Sequence, residues 1–320
     1  MRSYTIRLFD PNTGNVLREW TSHPGGKYDP HALDIEFDMP VGLGHLPKGG
    51  VTVTIYGVAL QDLVQARDFS GLQILLYGGM ATGLPLANPK QQGLLMAGTI
   101  FQAFGNWQGT EMTLDFVIVS TNYTYRSPGN IVLNWKAGTP LSQALAQTFS
   151  VAYPGIPASI HISPDLVQKH DEPAFFSTFQ QLATWVEQIT RIRFNNPVYM
   201  TPLGVSISVF DASYQPTPVQ VAFTDFVGQP TWIRPQTLQI KTVLRGDIQL
   251  GGLLALPKGL QDAPGIALTS AAAFPSQIRY KSTFTGVWRV NEARHVGYFR
   301  NPDGASWVSI FNCVPNTLPR

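Results

Sequence analysis

The sequence is short of charged residues. Asp, Glu, Lys and Arg make up 13% of the 320 residues, whereas soluble domains average about 25%. The apolar share is 44%, which is ordinary, so the deficit lies at the surface and does not reflect an enlarged core. Because the cores of protein interfaces are depleted in charge, we expect a subunit of an assembly. A neutral monomer covered by Ser, Thr and Gln is the alternative.

Clustered charge, cysteine and long apolar runs are also scarce. The net charge is +2 without any run of five like charges, which argues against a dedicated nucleic-acid groove. A single cysteine, Cys313, excludes an intramolecular disulfide and a Cys-based zinc site, and its apolar strand pattern indicates a buried, inert thiol. The most apolar window, 93–105, is shorter than the roughly 20 residues of a membrane span. The N-terminus does not read as a signal peptide, so we expect a protein made and used in the cytoplasm, or in a particle assembled there.

Motifs for catalysis and cofactor binding are missing as well. The sequence contains no GxGxxG, GxxxxGK[ST], HExxH or GxSxG, which are the usual marks of nucleotide, zinc and hydrolase sites. The segment 161–172 gathers potential metal ligands, namely His161, Asp165, His170, Asp171 and Glu172. Pro164 interrupts the helix that would align them, so we interpret the segment as a polar connector. We predict no cofactor, no metal and no catalytic residue.

His295 and Asp303 near the C-terminus are the remaining candidates for chemistry. A Ser–His–Asp triad would need a nucleophile on a strained elbow, and the sequence marks none. The flanking segments 284–290 and 306–313 are typical of strands, with the turn "NPDG" before the second. We therefore predict a structural role for His295.

Alternating strand patterns dominate the chain. Five segments show them clearly: 32–39, 51–56, 110–118, 205–210 and 237–244. In the first, Asp34, Glu36 and Asp38 point to one face while apolar residues point to the other. The spacing of these carboxylates would allow a glycosidase-like pair. Such a pair needs an apolar pocket that raises the pKa of one acid, and three exposed neighbours do not provide one. A solvated face is therefore the simpler interpretation.

Helical patterns are confined to the middle of the chain. The segment 138–149 predicts a helix with Thr139 as N-cap and Pro140 in its first turn. The segment 172–191 predicts a second helix opened by Pro173, with an apolar stripe. The stripe consists of Phe175, Phe179, Leu182, Val186 and Ile189.

The element order predicts three regions. A β-rich region covers 1–137, a helical α/β connector covers 138–204, and a second β-rich region covers 205–320. Two β-rich regions around a small connector favour two barrels or sandwiches in one mainly β chain.

Several stretches in this order resemble the baseplate hub proteins of phage tails. "LLMAGTIFQAF" with "TLDFVIVS" looks like the central strands of the family's first barrel, and "GTPLSQALAQTF" is similar to the helix that follows it. "FVGQPTWIRPQTLQIKTVLRGDIQLGGLLAL" (226–256) resembles the start of the second barrel. "FTGVWRVNEARHVGYFRNPDGASWVSIFNC" (284–313) resembles the closing hairpin. The N-terminal hub part of type VI secretion spike proteins is similar too.

The resemblance implies a structural virion protein that is not an enzyme. In that family three chains, each with two similar β-barrels, form a homotrimer with pseudo-sixfold symmetry that adapts the sixfold tail tube to a threefold central spike. The implied partners are other copies of the chain, the tail tube protein, a separate spike protein, other baseplate and distal tail proteins, and the tape measure protein. DNA would pass through in transit, and this chain would not insert into a membrane. The implied location is the tail tip of the virion, assembled in the host cytoplasm.

Within that family, the acidic strand suggests a role. We hypothesise that Asp34, Glu36 and Asp38 line the channel, where negative charge would keep passing DNA from sticking; an exposed outer rim is the alternative. Two other functions stay open. One is a glycan-acting enzyme or binding module, and the other is a different tail component such as a hexameric distal tail protein.

Overall fold

The computed structural model describes most of the chain, and the described residues form two compact units. They are 1–43, 51–81, 88–119, 129–202, 206–257, 265–266 and 286–316. The first unit combines Met1–Val41, Gly50–Ile118 and Thr217–Asn316, and the second is built mainly from Val119–Pro216.

Strands outnumber helices among the described residues. In chain order the strands are β1 Arg2–Phe9, β2 Val16–Thr21, β3 Asp34–Val41, β4 Val51–Tyr56, β5 Gln73–Met80, β6 Gly93–Gln108, β7 Glu111–Val119, β8 Ile131–Trp135, β9 Ala158–His161, β10 Glu172–Phe176, β11 Tyr199–Pro202, β12 Ile207–Phe210, β13 Val219–Gln220, β14 Thr231–Arg234, β15 Thr237–Val243, β16 Leu253–Leu256, β17 Gly265–Ile266, β18 Gly286–Tyr298 and β19 Trp307–Pro315. The α-helices are α1 Leu60–Val64, α2 Leu141–Ala152 and α3 Phe179–Phe194. The prediction of a mainly β chain is confirmed.

One 14-stranded sheet runs through the first unit. Its main order is β17-β14-β15-β19-β18-β3-β4-β7-β6-β5-β1-β2, with β16 also paired to β18 and β13 to β16. We call β1–β7 with α1 the first half of this unit and β13–β19 the second half. The halves join where β3 pairs antiparallel with β18, from Glu36 opposite Tyr298 to Val41 opposite Ala293.

The predicted alternation is confirmed in these strands. Ile35, Phe37 and Met39 on β3 are buried, whereas the three carboxylates between them are half-exposed. Because side chains alternate across a strand, one face of β3 packs into the core and the other faces outward. The same holds for β4, β7 and β15.

The closing hairpin packs directly on the first half. Gly297 on β18 lies under the ring of Phe37, so a Cβ at this position would collide with that ring. Trp307 Nε1 donates a buried hydrogen bond of 3.0 Å to Gly79 O, and Arg2 donates to carbonyls of the turn, including Asp303 O at 2.7 Å. Phe284 and Thr285 of the predicted strand lie outside the described residues.

The second unit has its own core. Strands β8 and β10 form an antiparallel pair, and β11, β12 and β9 form a three-stranded sheet. Apolar side chains of these strands pack with α2 and α3, including Trp135, Phe149 and Val186.

The start of each larger helix differs from the prediction. Helix α2 begins at Leu141, and Pro140, not Thr139, is its N-cap. Helix α3 begins at Phe179 with Thr178 as N-cap, so the prediction of a helix opened by Pro173 is wrong. The residues before it form the strand β10, because they pair with β8, which lies far away in the sequence. Phe175 on this strand is 70% exposed and does not belong to an apolar helix face.

The boundaries of the two compact units differ from the boundaries of the three predicted regions. β8 falls inside the predicted region 1–137 and β12 inside the predicted region 205–320, yet both belong to the second unit. Each has its sheet partner there, since β8 pairs with β10 and β12 pairs in parallel with β9. The presence of two separate barrels in the first unit stays a prediction.

Candidate functional site

The acidic residues of β3 form one half-exposed row. Asp34, Glu36 and Asp38 lie on the face of β3 opposite the buried apolar residues. Their spacing of two residues places them about 7 Å apart along the strand. The structure therefore brings together the three residues that the sequence singled out.

Each carboxylate of the row has a partner. Asp38 forms a two-bond ion pair with Arg294 on β18, in which Arg294 Nε donates to Asp38 Oδ1 at 2.7 Å. Asp34 Oδ1 accepts a bond from the backbone N–H of Arg300 at 3.1 Å. Burial and a hydrogen bond to Glu36 raise the pKa of Tyr56 to about 12, so Tyr56 stays neutral and donates to this carboxylate.

Asp115 on β7 extends the acidic row across the sheet. It lies opposite Thr54, which in turn lies opposite Glu36, so all three share one face. Thr54 Oγ1 donates to Asp115 Oδ1 at 2.6 Å and Asn106 Nδ2 donates to Oδ2 at 2.5 Å. We call Asp34, Glu36, Asp38 and Asp115 the acidic face. The alternation of 110–118 indicates an outward Asp115, but only the strand order β3-β4-β7 places it on the same face as the row, one strand beyond β4.

The carboxylates of the acidic face are too exposed for a glycosidase-like pair. They are half-exposed, and Arg294 neutralises one of them. A glycosidase needs one carboxyl whose pKa is raised by an apolar pocket. The arrangement leaves half-exposed carboxylates on one face of the sheet, with Arg294 beside Asp38 and with Arg2 close enough to Asp34 to interact with its charge.

The potential metal ligands of 161–172 do not gather at one point, although His170 Nε2 lies 3.1 Å from Glu172 Oε2. His161 stacks on Tyr214 at 4.7 Å between ring centroids. Asp171 Oδ1 accepts from the backbone N–H of Ala137, and Glu172 pairs with Arg193 at 2.6 Å. Within the described residues no group of three or more His, Cys, Asp or Glu could hold a metal ion.

His295 and Asp303 do not form a catalytic arrangement. His295 is buried on β18 with Nδ1 2.8 Å from Ser309 Oγ, whereas Asp303 is exposed and accepts a bond from Ala305 N. Burial lowers the pKa of His295 to about 4, so the imidazole is neutral at pH 7. Burial also raises the pKa of the Cys313 thiol, as expected for an inert cysteine.

A buried ion cluster was missed by the sequence analysis. Arg245 follows β15 in the tripeptide "RGD" and its side chain is only 2% exposed. It donates to both carboxylate oxygens of Asp247 at 2.8 and 2.7 Å, and its Nη1 donates to Asp225 Oδ2 at 3.2 Å. Asp225 Oδ1 accepts from Gln91 Nε2 at 2.9 Å. We call Gln91, Asp225, Arg245 and Asp247 the seam cluster, and it borders a cleft of about 370 Å³.

No pattern in the sequence marks the seam cluster. Its members come from three separate segments of the chain, and Arg245 with Asp247 stands where a strand pattern runs into a turn. The one available signal is a lone Arg and Asp beside glycines, which occurs often by chance.

Comparison with solved structures identifies the class of fold. The matching structures are phage tail proteins and spike-like proteins of type VI secretion systems, which confirms the resemblance found in the sequence. No protein-family model and no curated protein matches the chain. Among the described residues, no helix has the length and apolar character that a membrane crossing requires.

Three of these structures illustrate the match. A tail protein from Neisseria meningitidis MC58 is 11% identical with a TM-score of 0.50, and the alignment covers 99% of this chain and 97% of that one. The 43 kDa tail protein of prophage MuSo2 from Shewanella oneidensis is 7% identical with a TM-score of 0.53 and the same coverage. The E. coli c3393 protein, a type VI secretion component, is 9% identical with a TM-score of 0.51, covering 90% of this chain and 78% of that one. At these identities the likeness concerns the fold.

Proposed function

We propose that the chain is a structural component of a phage tail, acting as its baseplate hub. The observation that carries the proposal is the match over nearly the whole length of two tail proteins, with 97% of each covered. Three copies would form a ring in which the two halves of each first unit provide six similar positions. Such a ring adapts a sixfold tail tube to a threefold spike.

The partners follow from this role. One side of the ring would bind the tail tube protein, and the other a separate spike protein. Chains from PdpA–VgrG complexes, one of them from Francisella, match this chain at TM-score 0.51 over 66% and 59% of their own length, which supports spike and tail proteins as partners. Other baseplate, distal tail and tape measure proteins would complete the contacts, in a tail tip assembled in the host cytoplasm. The low charge content suits a chain covered on several sides.

We propose that the acidic face lines the central channel of this ring. A negative, hydrated surface repels the phosphates of passing DNA, and the role needs no catalytic residue. A structure of the ring with Asp34, Glu36 and Asp38 on its outer rim would contradict this part of the proposal.

The first experiment is the mass of the purified chain by light scattering at several concentrations, with electron microscopy of the same sample. We expect a ring near three times 35.2 kDa with a central opening. A hexamer would favour a distal tail protein instead. A monomer at every concentration, also when mixed with the tail tube protein and with the spike protein on which a hub can assemble, would contradict the hub. Turnover of peptidoglycan or polysaccharide by the chain alone would establish the glycan-acting alternative.

A further inference from the structure

Gln91 connects the first half of the first unit to the second half through both its side chain and its backbone. Its Nε2 donates to Asp225 Oδ1 at 2.9 Å, and its carbonyl accepts from the backbone N–H of Gly246 at 2.9 Å. Arg245 and the backbone N–H of Ala222 both bond the other oxygen of Asp225. The carboxylate that receives Gln91 is therefore held in one orientation.

Two glycines let the halves approach closely at the same place. A Cβ on Gly246 would lie 2.6 Å from the carbonyl carbon of Gly93, and a Cβ on Gly93 would lie 2.9 Å from the carbonyl carbon of Gly246. Such distances are shorter than any side chain tolerates. The backbones meet directly, so a rotation or a slide of one half would either clash or stretch the Gln91 bonds.

The energy balance of a buried ion cluster indicates that the seam cluster fixes an orientation and does not serve mainly to stabilise the fold. A buried ion pair costs desolvation energy, and well-packed apolar residues of similar size often serve stability equally well. Apolar contacts between the halves already exist, since Leu244 and Trp307 of the second half lie in the core of the first. Those apolar contacts are non-directional, whereas hydrogen bonds fix distance and angle. The β3–β18 ladder and the Trp307–Gly79 bond supply directional bonds between the halves, and the seam cluster adds buried, charge-assisted bonds to them.

We propose that the seam cluster is an orienting device that sets the rotation of the second half relative to the first. The inference rests on the proposed hub function for its purpose. In a three-chain ring with a sixfold surface, six halves follow one another around the axis. The rotation from the first half to the second half of one chain must therefore equal the rotation from that second half to the first half of the next chain. Each rotation is one sixth of a turn, and the seam cluster fixes the one inside the chain.

The test measures the distance between the halves in solution. Spin labels are placed on cysteines introduced at exposed positions, Gln61 in the first half and Arg234 in the second. The buried native Cys313 has a thiol of raised pKa and should take no label. Pulsed electron paramagnetic resonance then gives the distance distribution. The test variant is R245M/D225N/D247N, which removes all three charges together.

We expect a narrow distribution in the labelled parent and one at least twice as broad in the triple variant, with little change in the urea midpoint. The single variant Q91M, which removes the side-chain bond from Gln91 to Asp225 and keeps the backbone bond to Gly246, should broaden the distribution as well. The matched control is R294M, since Arg294 also connects the halves but through the exposed ion pair with Asp38. It should leave the distribution unchanged.

An unchanged distribution in the triple variant or in Q91M overturns the proposal. Unfolding of the triple variant also overturns it, because the cluster would then act through stability. The distances are measured on the single chain and do not depend on ring formation. A parent chain that stays monomeric, also with the tail tube and spike proteins present, therefore contradicts the hub without affecting the orienting role. If the parent forms trimers, the triple variant should lose at least tenfold in trimer yield.

Discussion

Two arginine–aspartate contacts in the first unit differ mainly in their exposure to water. In the acidic face, the side chains of Arg294 and Asp38 are 55% and 39% exposed. In the seam cluster, those of Arg245 and Asp225 are 2% and 6% exposed. Water screens the first pair, so its contribution to stability is about 0–1 kcal/mol. The second pair is desolvated, so the loss of Asp225 would leave Arg245 with Asp247 as its one carboxylate. It would also leave the buried donor of Gln91 unpaired.

The comparison teaches which charge cannot be removed by itself without a large loss of stability. The acidic face is conspicuous in the sequence, because it alternates with apolar residues, yet its ion pair should matter little for folding. The seam cluster is inconspicuous in the sequence, yet its breakage should be severe.

The largest effect is expected for Asp225→Ala. It leaves Arg245 with only Asp247, and it also removes the acceptor for Gln91 Nε2 and for the backbone N–H of Ala222. We expect the free energy of unfolding to fall by about 3–5 kcal/mol, measured by urea denaturation. The matched control, Asp38→Ala, should cost at most about 1 kcal/mol. Equal losses in the two variants would remove the distinction between the two regions.

A slightly smaller effect is expected for the protonation of His295. Its pKa is lowered to about 4 by burial, below the value of about 6.5 in an unfolded chain. The unfolded state therefore binds the proton first, and the stability conferred by the neutral imidazole is present above pH 6.5 and lost as the pH falls towards 4. Over that window the loss is roughly 3 kcal/mol.

The measurement compares urea midpoints at pH 7 and pH 4.5 for the parent chain and His295→Gln. We expect the parent to lose clearly more stability than the variant. His31→Gln, at an exposed position, is the control and should follow the parent. Parallel pH profiles for the parent and His295→Gln would mean that the imidazole does not drive the acid sensitivity.

The two regions also show what the sequence can and cannot predict. The orientation of Asp34, Glu36 and Asp38 follows from local alternation, because only one face of β3 can enter the core. The partners of these residues do not follow, since Arg294 comes from a strand paired across more than 250 residues of sequence.

The wrong start predicted for α3 also results from pairing between segments that are distant in the sequence. Phe175 fits the 3.6-residue period of the following helix, but it lies opposite Val132 in a strand pair. Tertiary pairing therefore overrode a local pattern that ran on through Pro173. The seam cluster is the extreme case, because it joins three distant segments and has no local pattern at all.

The smallest effect is expected for the Arg294–Asp38 pair itself. Arg294→Met, Asp38→Asn and the double variant form a cycle that isolates the interaction between the two side chains. Because both side chains are largely exposed, we expect a coupling of at most about 1 kcal/mol, measured by urea denaturation at low salt. The coupling should nearly vanish in about 1 M salt, where the Debye length is about 3 Å. A coupling above about 2 kcal/mol, or one unaffected by salt, would mean that the pair is shielded from water and that the acidic face is less hydrated than a channel lining requires.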